Sequence, residues 1–310
     1  WEIVFLPQDQ ILLTERPGNV LLLNQDNQNI VEIEGVEHAG EGGLLGAVLS
    51  LDFEANKFIY LYYTTTQNEE LVNRVVRYQL EDNELTEDTV ILEGVPAASY
   101  HDGGRMAFGP NGYLYITTGD AGQTDLAQDT NSLAGKILRL NPDGTIPEDN
   151  PFNNEVYSYG HRNPQGLAWD NQGRLWATEH GPSGAQSGWD ELNLIEAGNN
   201  YGWPLVKGEE TQQGLTPPVI QSGSDETWAP AGAAFYNGSI YFAGLRGSTL
   251  YEYEVESGIL QRHLTDVYGR LRAVVLGPDN HLYVSTSNKD GRGSPVESDD
   301  RIIRVKPETL

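Results

Sequence analysis

The chain has 310 residues, 38% of them hydrophobic, with 35 glycines besides, an ordinary apolar share for a globular protein. It carries 45 acidic against 19 basic residues, a formal charge of −26, so like-charge repulsion argues against nucleic acid and anionic membrane as partners. Cysteine is absent, which excludes disulfides and thiolate metal sites, and no apolar run approaches the roughly 18 residues a membrane span needs. The basic residues are 14 Arg and five Lys, and so acidic, lysine-poor a surface suits a salt-rich habitat. A start at Trp1 rather than Met fits removal of a signal peptide, so a periplasmic or secreted location is expected.

Helical periodicity is scarce. What recurs in chain order is a short β-rich run after a turn: Gln10–Glu15, Lys57–Thr64, Tyr113–Gly119, Arg174–His180, Ser239–Leu245 and His281–Ser287. Turn pairs such as Asn111-Gly112, Gln172-Gly173, Asn237-Gly238 and Asp279-Asn280 precede most of them. These runs are read as the inner strands of repeated units. A second strand follows each: Val20–Leu23, Val75–Leu80, Ile137–Leu140, Glu191–Ile195, Leu250–Val255 and Ile302–Val305. Six units in 310 residues give a period of about 52, the size of a four-stranded propeller blade. The expectation is an all-β, six-bladed β-propeller with four-stranded antiparallel blades, spanning residues 1–310 as a single catalytic domain. A many-stranded β-sandwich is the alternative, and the sixfold repeat argues against it. Proline- and glycine-rich stretches at Asn141–Phe152 and Gly208–Pro218 fall inside the repeat and read as loops.

Chemistry-bearing residues cluster around these strands. Gly40–Gly46 packs four glycines into seven residues, Tyr100–Arg105 sets a histidine beside two glycines, and Gly119-Asp120 ends a run. Tyr159–Gly166 and Glu179–Pro182 flank the fourth run. Glycine lets backbone approach a ligand closely, so glycine beside His or Arg is a reasonable site signature, although a tight turn explains each segment about as well. Arg270 and Arg272 alternate, and period-two spacing puts both on one side of a strand.

Taken together the segments resemble one family. They are EGGLLG at Glu41–Gly46, HDGGRMAFGPNGYLYITTGD at His101–Asp120, KILRLNPDGTIPEDNPF at Lys136–Phe152, YSYGHRNPQGLAWD at Tyr157–Asp170, ATEHGP at Ala177–Pro182 and DELNLIEAGNNYGWP at Asp190–Pro204. The chain resembles the soluble glucose/sorbosone dehydrogenases that depend on pyrroloquinoline quinone (PQQ), in particular the short aldose sugar dehydrogenase branch. The likeness runs from about Gln10 to Val305. It implies a six-bladed propeller that oxidises the sugar C1 hydroxyl to the lactone by hydride transfer to PQQ C5, with electrons passed to an external acceptor.

The resemblance also implies roles. His101 matches the catalytic base, and Asp120 the carboxylate that orients it; their plain alternatives are a loop histidine and an Asp turn. Arg162 matches the arginine that stabilises negative charge on the quinone oxygen, and Asn163 and Glu41 match further cofactor contacts. His161 is assigned no more than shaping of its loop. Arg246, Arg270 and Arg272 match positions that pair with the cofactor carboxylates, against the alternative of solvated surface arginines. Gly181 and Pro182 match the main-chain carbonyl ligands of a catalytic Ca²⁺, and Glu191 and Tyr201 fall on positions of a structural Ca²⁺ site. Trp189, Trp203 and Trp228 could stack on a sugar, although packing is the more frequent use of such residues. The longer glucose dehydrogenases hold an acidic residue where Tyr100 stands, and carry insertions absent here; both differences imply a monomer with a looser choice among aldoses. Two competing functions remain open: a Ca²⁺-dependent lactonase-type propeller hydrolase and a non-catalytic binding propeller.

Overall fold

The computed structural model describes residues 1–24, 27–182 and 187–310. Two compact units emerge: Trp1–Asn163 with Ala197–Pro204, and Pro164–Glu196 with Leu205–Leu310.

The first unit holds three four-stranded antiparallel sheets. They comprise β1 (Ile3–Phe5), β2 (Ile11–Glu15), β3 (Asn19–Leu23) and β4 (Gln28–Glu32); then β5 (Leu44–Leu49), β6 (Phe58–Gln67), β7 (Glu70–Glu81) and β8 (Glu84–Pro96); then β9 (Met106–Phe108), β10 (Leu114–Thr118), β11 (Lys136–Leu140) and β12 (Val156–Tyr159). The second unit holds two four-stranded sheets and one of three strands. These are β13 (Pro164–Trp169), β14 (Leu175–Glu179), β15 (Glu191–Ile195) and β16 (Ile220–Gln221); β17 (Pro230–Tyr236), β18 (Ser239–Gly244), β19 (Thr249–Glu254) and β20 (Ile259–His263); and β21 (Leu271–Leu276), β22 (Leu282–Thr286) and β23 (Ile302–Val305). In every sheet, strands consecutive in sequence are neighbours. The six sheets are the blades of a six-bladed β-propeller.

Two details correct the sequence expectation. The sixth sheet has three strands among the described residues rather than four. The recurring runs read as inner strands are the second strands of their sheets: β2, β6, β10, β14, β18 and β22. A less regular strand precedes each, and in β5, β13, β17 and β21 the pairing register shifts. These first strands lack the β-branched alternation that made the second strands visible. Gly46 in β5 shows the reason: a Cβ there would lie 2.1 Å from the carbonyl oxygen of Gly104, so the backbones approach too closely for a side chain.

Hairpin chemistry follows from the turn residues. Asn237-Gly238 joins β17 to β18 with φ of 45° and 93°, and Asp82-Asn83 joins β7 to β8 with φ of 50° and 65°. Positive φ at both central residues matches the right-handed twist of the flanking strands. Packing then fixes the sheets. β6 is buried on both faces from Ile59 to Tyr63, and its neighbours supply Leu12, Val20, Leu22 and Leu44 to one apolar cluster. Each such side chain contributes about 1.5–3 kcal/mol by leaving water. In the second unit Trp228, Phe242 and Tyr251 pack within 5.0–5.6 Å of one another. Trp228 is 2% exposed, so it belongs to the core and does not line a sugar cleft.

Candidate active site

The first unit brings together the histidine expected to act as base and the carboxylate expected to orient it. His101 lies on the turn between β8 and β9, and Asp120 just beyond the end of β10. Nδ1 of His101 stands 2.7 Å from Oδ1 of Asp120, an ion pair when the imidazole is protonated. Among the described residues Nε2 of His101 has no hydrogen-bond partner, so that nitrogen is available to a substrate hydroxyl. The carboxylate fixes the tautomer in which Nδ1 carries the proton and Nε2 accepts one. Burial opposes ionisation of Asp120, but hydrogen bonds from His101, Gly122 N–H and Trp203 outweigh it and hold its carboxyl below the ordinary value. Gly119 makes the approach possible: a Cβ there would sit 1.8 Å from the carbonyl oxygen of His101.

His101 adopts φ of 62°, a left-handed conformation uncommon outside glycine. Its turn is tied down accordingly. The His101 N–H donates to Oε2 of Glu41 at 3.1 Å, and the Ala98 N–H donates to Oδ1 of Asp102 at 3.1 Å. Asn73 Nδ2 donates to the same Asp102 oxygen at 3.2 Å, and Tyr62 O–H donates to the Asp102 carbonyl at 2.8 Å. Asp102 is 2% exposed, and its Oδ2 has no partner among the described residues. Burial, aided by the charge of Glu41, raises its carboxyl to about 6. Glu41, expected to touch cofactor or sugar, accepts through Oε2 from the His101 backbone and so helps to fix this turn.

Arg162 and Asn163 follow β12 and are buried, at 6% and 0% exposure. The Arg162 carbonyl accepts from Asp120 N–H at 2.8 Å, and its guanidinium lies 5.4 Å from the Trp203 ring centroid. Asn163 Oδ1 accepts from Gly103 N–H at 3.0 Å, while its Nδ2 is a buried donor without a partner among the described residues. Such an orphan donor suits a ligand acceptor. His161 is fully buried, its Nε2 2.8 Å from Ser158 Oγ and its ring stacked on Tyr201 at 4.7 Å. The Nε1–H of Trp203 donates to Oδ2 of Asp120 at 2.8 Å, a role the sequence did not disclose.

The second unit gathers cations and carboxylates separately. Arg270, the residue before β21, donates from Nη2 to Asp290 Oδ2 at 2.9 Å, and Nη2 of Arg272 lies 3.7 Å from the same oxygen. Arg272 also donates from Nε to Ser287 Oγ at 3.1 Å. The two guanidiniums share one side, as period-two spacing required. Burial opposes the charge of Asp290, but the Arg292 N–H and the Arg270 and Arg272 cations hold its carboxyl below the ordinary value. Arg270 further donates to the carbonyl of Leu245, the residue before Arg246, at 3.4 Å. Arg246 itself is exposed, and its guanidinium has no partner among the described residues. Asp290, missed in the sequence, sits among Lys289, Gly291 and Arg292 with no local signal to distinguish it from a turn.

The proposed calcium ligands also lie in this unit, apart from Tyr201. The Gly181 N–H donates to Asp190 Oδ1 at 2.9 Å, and Asp190 Oδ2 accepts from the N–H groups of Trp228 and Ala229 at 2.7 and 3.0 Å. Pro182 follows Gly181; residues 183–186 beyond it lie outside the description. Asn193 Nδ2 donates to Glu191 at 3.0 Å and reaches Glu179 at 3.5 Å, while Asn193 Oδ1 is buried without a partner among the described residues. Burial and the neighbouring Glu179 charge push the Glu191 carboxyl well above the ordinary value, which marks a place short of positive charge. Among the described residues no group of three or more His, Cys, Asp or Glu is arranged to hold a metal ion. Trp189 packs over Gly208 and takes φ of 58°.

Comparison with known proteins places this geometry. The family described as Glucose / Sorbosone dehydrogenase matches residues 1–303. The chain is 34% identical to the aldose sugar dehydrogenase YliI of Escherichia coli over 94% of its own length and 88% of that protein. Among solved structures, the PQQ-bound aldose sugar dehydrogenase of Streptomyces coelicolor aligns with a TM-score of 0.91 at 40% identity, covering 98% of this chain and 92% of that one. A glucose dehydrogenase-type oxidoreductase of Thermus thermophilus aligns with a TM-score of 0.93 at 43% identity, covering 98% and 96%. Likeness of this extent, along nearly the whole chain, means that the protein belongs to the glucose/sorbosone dehydrogenase family.

Proposed function

We propose that this protein is a PQQ-dependent aldose dehydrogenase that oxidises the C1 hydroxyl of a sugar to the lactone. The observation that carries the reading is the His101–Asp120 dyad with an unpartnered Nε2, in a family whose PQQ-bound relative is 40% identical. Nε2 of His101 takes the proton of the sugar C1 hydroxyl, and Asp120 stabilises the imidazolium that results. When bound, PQQ supplies the acceptor for the hydride leaving C1. Arg162 and the Asn163 amide offer positive charge and a hydrogen-bond donor for that group, and the orphan Nδ2 of Asn163 fits such a ligand. Arg246, Arg270 and Arg272 suit a carboxylate-bearing cofactor in an otherwise acidic chain.

Calcium belongs to the same reading. The Gly181 and Pro182 carbonyls would hold a catalytic Ca²⁺, a hard cation that takes oxygen ligands. Glu191, with Glu179 and the Asn193 amide oxygen, would hold a structural one, whose charge relieves the raised carboxyl; Tyr201 stays in the proposed set on resemblance alone. The reaction partners are an aldose and an external electron acceptor, with the protein acting as a periplasmic or secreted monomer. No helix among the described residues is long and apolar enough to cross a membrane. A lactonase reading asks for several side-chain ligands on one metal, and no specific observation favours it or a non-catalytic binding role.

The test is reconstitution with PQQ and Ca²⁺, followed by a panel of aldoses with an artificial acceptor dye. Saturable, sugar-dependent dye reduction is expected. Saturable PQQ binding with no dye reduction for any aldose would refute sugar oxidation.

A further inference from the structure

Trp203 is bound more closely to the dyad than a packing residue or a sugar platform needs to be. Asp120 is fully buried, and its two oxygens are used differently. Oδ1 accepts from His101 Nδ1 at 2.7 Å and from the Gly122 N–H at 2.8 Å. Oδ2 has one donor described, the indole N–H of Trp203 at 2.8 Å. Without that bond, half of a buried carboxylate would be desolvated and unpaired. The same indole also presents its face to Arg162, whose guanidinium carbon lies 5.4 Å from the ring centroid. Arg162 and Asp120 are joined a second time through the backbone, where Asp120 N–H donates to the Arg162 carbonyl at 2.8 Å.

The indole is in turn immobilised. The backbone N–H of Trp203 donates to the Gly160 carbonyl at 2.9 Å, and the Trp203 carbonyl accepts from Gln128 Nε2 at 2.6 Å. Gln128 is locked by a reciprocal amide pair with Asn200, at 3.1 and 2.7 Å. A side chain anchored at both backbone groups, with its one donor aimed at Asp120, has little freedom to follow a substrate.

We propose that Trp203 is a positioning residue that couples the base-orienting carboxylate to the arginine: its N–H sets the charge Asp120 offers to His101, and its ring holds the Arg162 guanidinium. The proposal rests on the assignment of His101 as the base and Arg162 as a cofactor contact. Removal of the N–H leaves Asp120 with one fewer donor, concentrates its negative charge and makes the imidazolium harder to deprotonate. Removal of the ring takes away the cation–π contact with Arg162 as well. The remaining charged groups about the dyad, Glu41 on the His101 backbone and Asp102 beneath it, are untouched by either change.

The experiment uses apo-protein of the wild type, Trp203→Phe and Trp203→Leu. The imidazole titration of His101 is followed by NMR, PQQ affinity by quenching of protein fluorescence, and folding by thermal melting. Trp203→Phe should raise the His101 midpoint by roughly half a pH unit to one unit and leave PQQ affinity within about twofold. Trp203→Leu should give the same midpoint shift and weaken PQQ binding about fivefold or more, the scale of a partly desolvated cation–π contact. An unmoved midpoint in Trp203→Phe refutes the coupling to Asp120. Equal PQQ affinities in the two variants refute the hold on Arg162. Should both variants fail to fold, the wild type still decides: the Trp203 indole N–H resonance must shift with the His101 midpoint, and a pH-independent indole signal overturns the proposal. Failure of wild-type protein to bind PQQ would sink the functional reading, yet the apo titration would still judge the Trp203–Asp120 link.

Discussion

The two units meet opposite electrostatic demands. In the first, the groups that orient the His101 ring are matched within the chain: His101 Nδ1 to Asp120, Asp120 to Trp203 and Gly122, and the His101 backbone to Glu41. In the arginine cluster of the second, guanidiniums outnumber carboxylates, since one carboxylate, Asp290, serves both Arg270 and Arg272 while Arg246 stands exposed without a partner among the described residues. The first arrangement has its geometry set before substrate arrives, the condition for efficient proton transfer. The second keeps positive charge in reserve for an anion. A chain of net charge −26 cannot attract a carboxylate-bearing cofactor by its overall field, so the charge must be local.

The contrast can be broken most sharply at the base. His101→Ala should retain PQQ binding and lose about 10²–10⁴ in turnover, measured as dye reduction with saturating PQQ, Ca²⁺ and sugar. A loss under about threefold would remove His101 from the mechanism. Next is Asp102, whose buried carboxyl is only half matched. Its folded value of about 6 lies above the ordinary 3.8, so the folded state binds more protons between those limits. Stability should therefore be greatest below about pH 4 for this group and fall as pH rises through 6, by up to roughly 3 kcal/mol. Asp102→Asn should flatten that slope in urea melts at pH 4.5 and 6.5; an unchanged slope means that Asp102 titrates normally.

The second unit gives smaller expected effects. Arg272→Ala should weaken PQQ binding about 10-fold to 100-fold, the worth of a charge-assisted hydrogen bond, with folding unchanged by melting temperature. Binding equal to wild type would return Arg272 to a structural role with Asp290. Last, a chelator should lower the melting temperature of wild-type protein by a few degrees, as loss of a ligand bound to the native state does. Glu191→Gln should abolish most of that difference, and an equal chelator effect in both proteins would move the structural cation elsewhere.

Much of the fold could be read from residue order, but unevenly. The second and third strands of each blade show themselves because they are β-branched and aromatic, with turn pairs such as Asn237-Gly238 before them. The first strands do not. Gly46 lies where one backbone meets another, and such glycines erase the period-two pattern that a strand would otherwise display. The site was uneven in the same way. His101, Asp120, Arg162 and Asn163 sit in long motifs and could be named, and Arg270 and Arg272 could be paired by spacing. Trp203 and Asp290 could not be connected to the residues they serve, 83 and 20 positions away at the most direct contacts.

By itself, then, the order of amino acids determined that this is a sixfold repeat of antiparallel strands, that its surface is acidic, and which family it joins. Strand periodicity, turn chemistry and charge are local or additive properties, so they survive reading in one dimension. Tertiary structure alone decided which donor completes Asp120, which carboxylate restrains Arg270 and Arg272, that Glu41 and Asp102 hold the left-handed turn of His101, and that Trp228 is core. Those choices depend on where distant segments meet, and a hydrogen bond between residues far apart in sequence leaves no periodic trace in either of them.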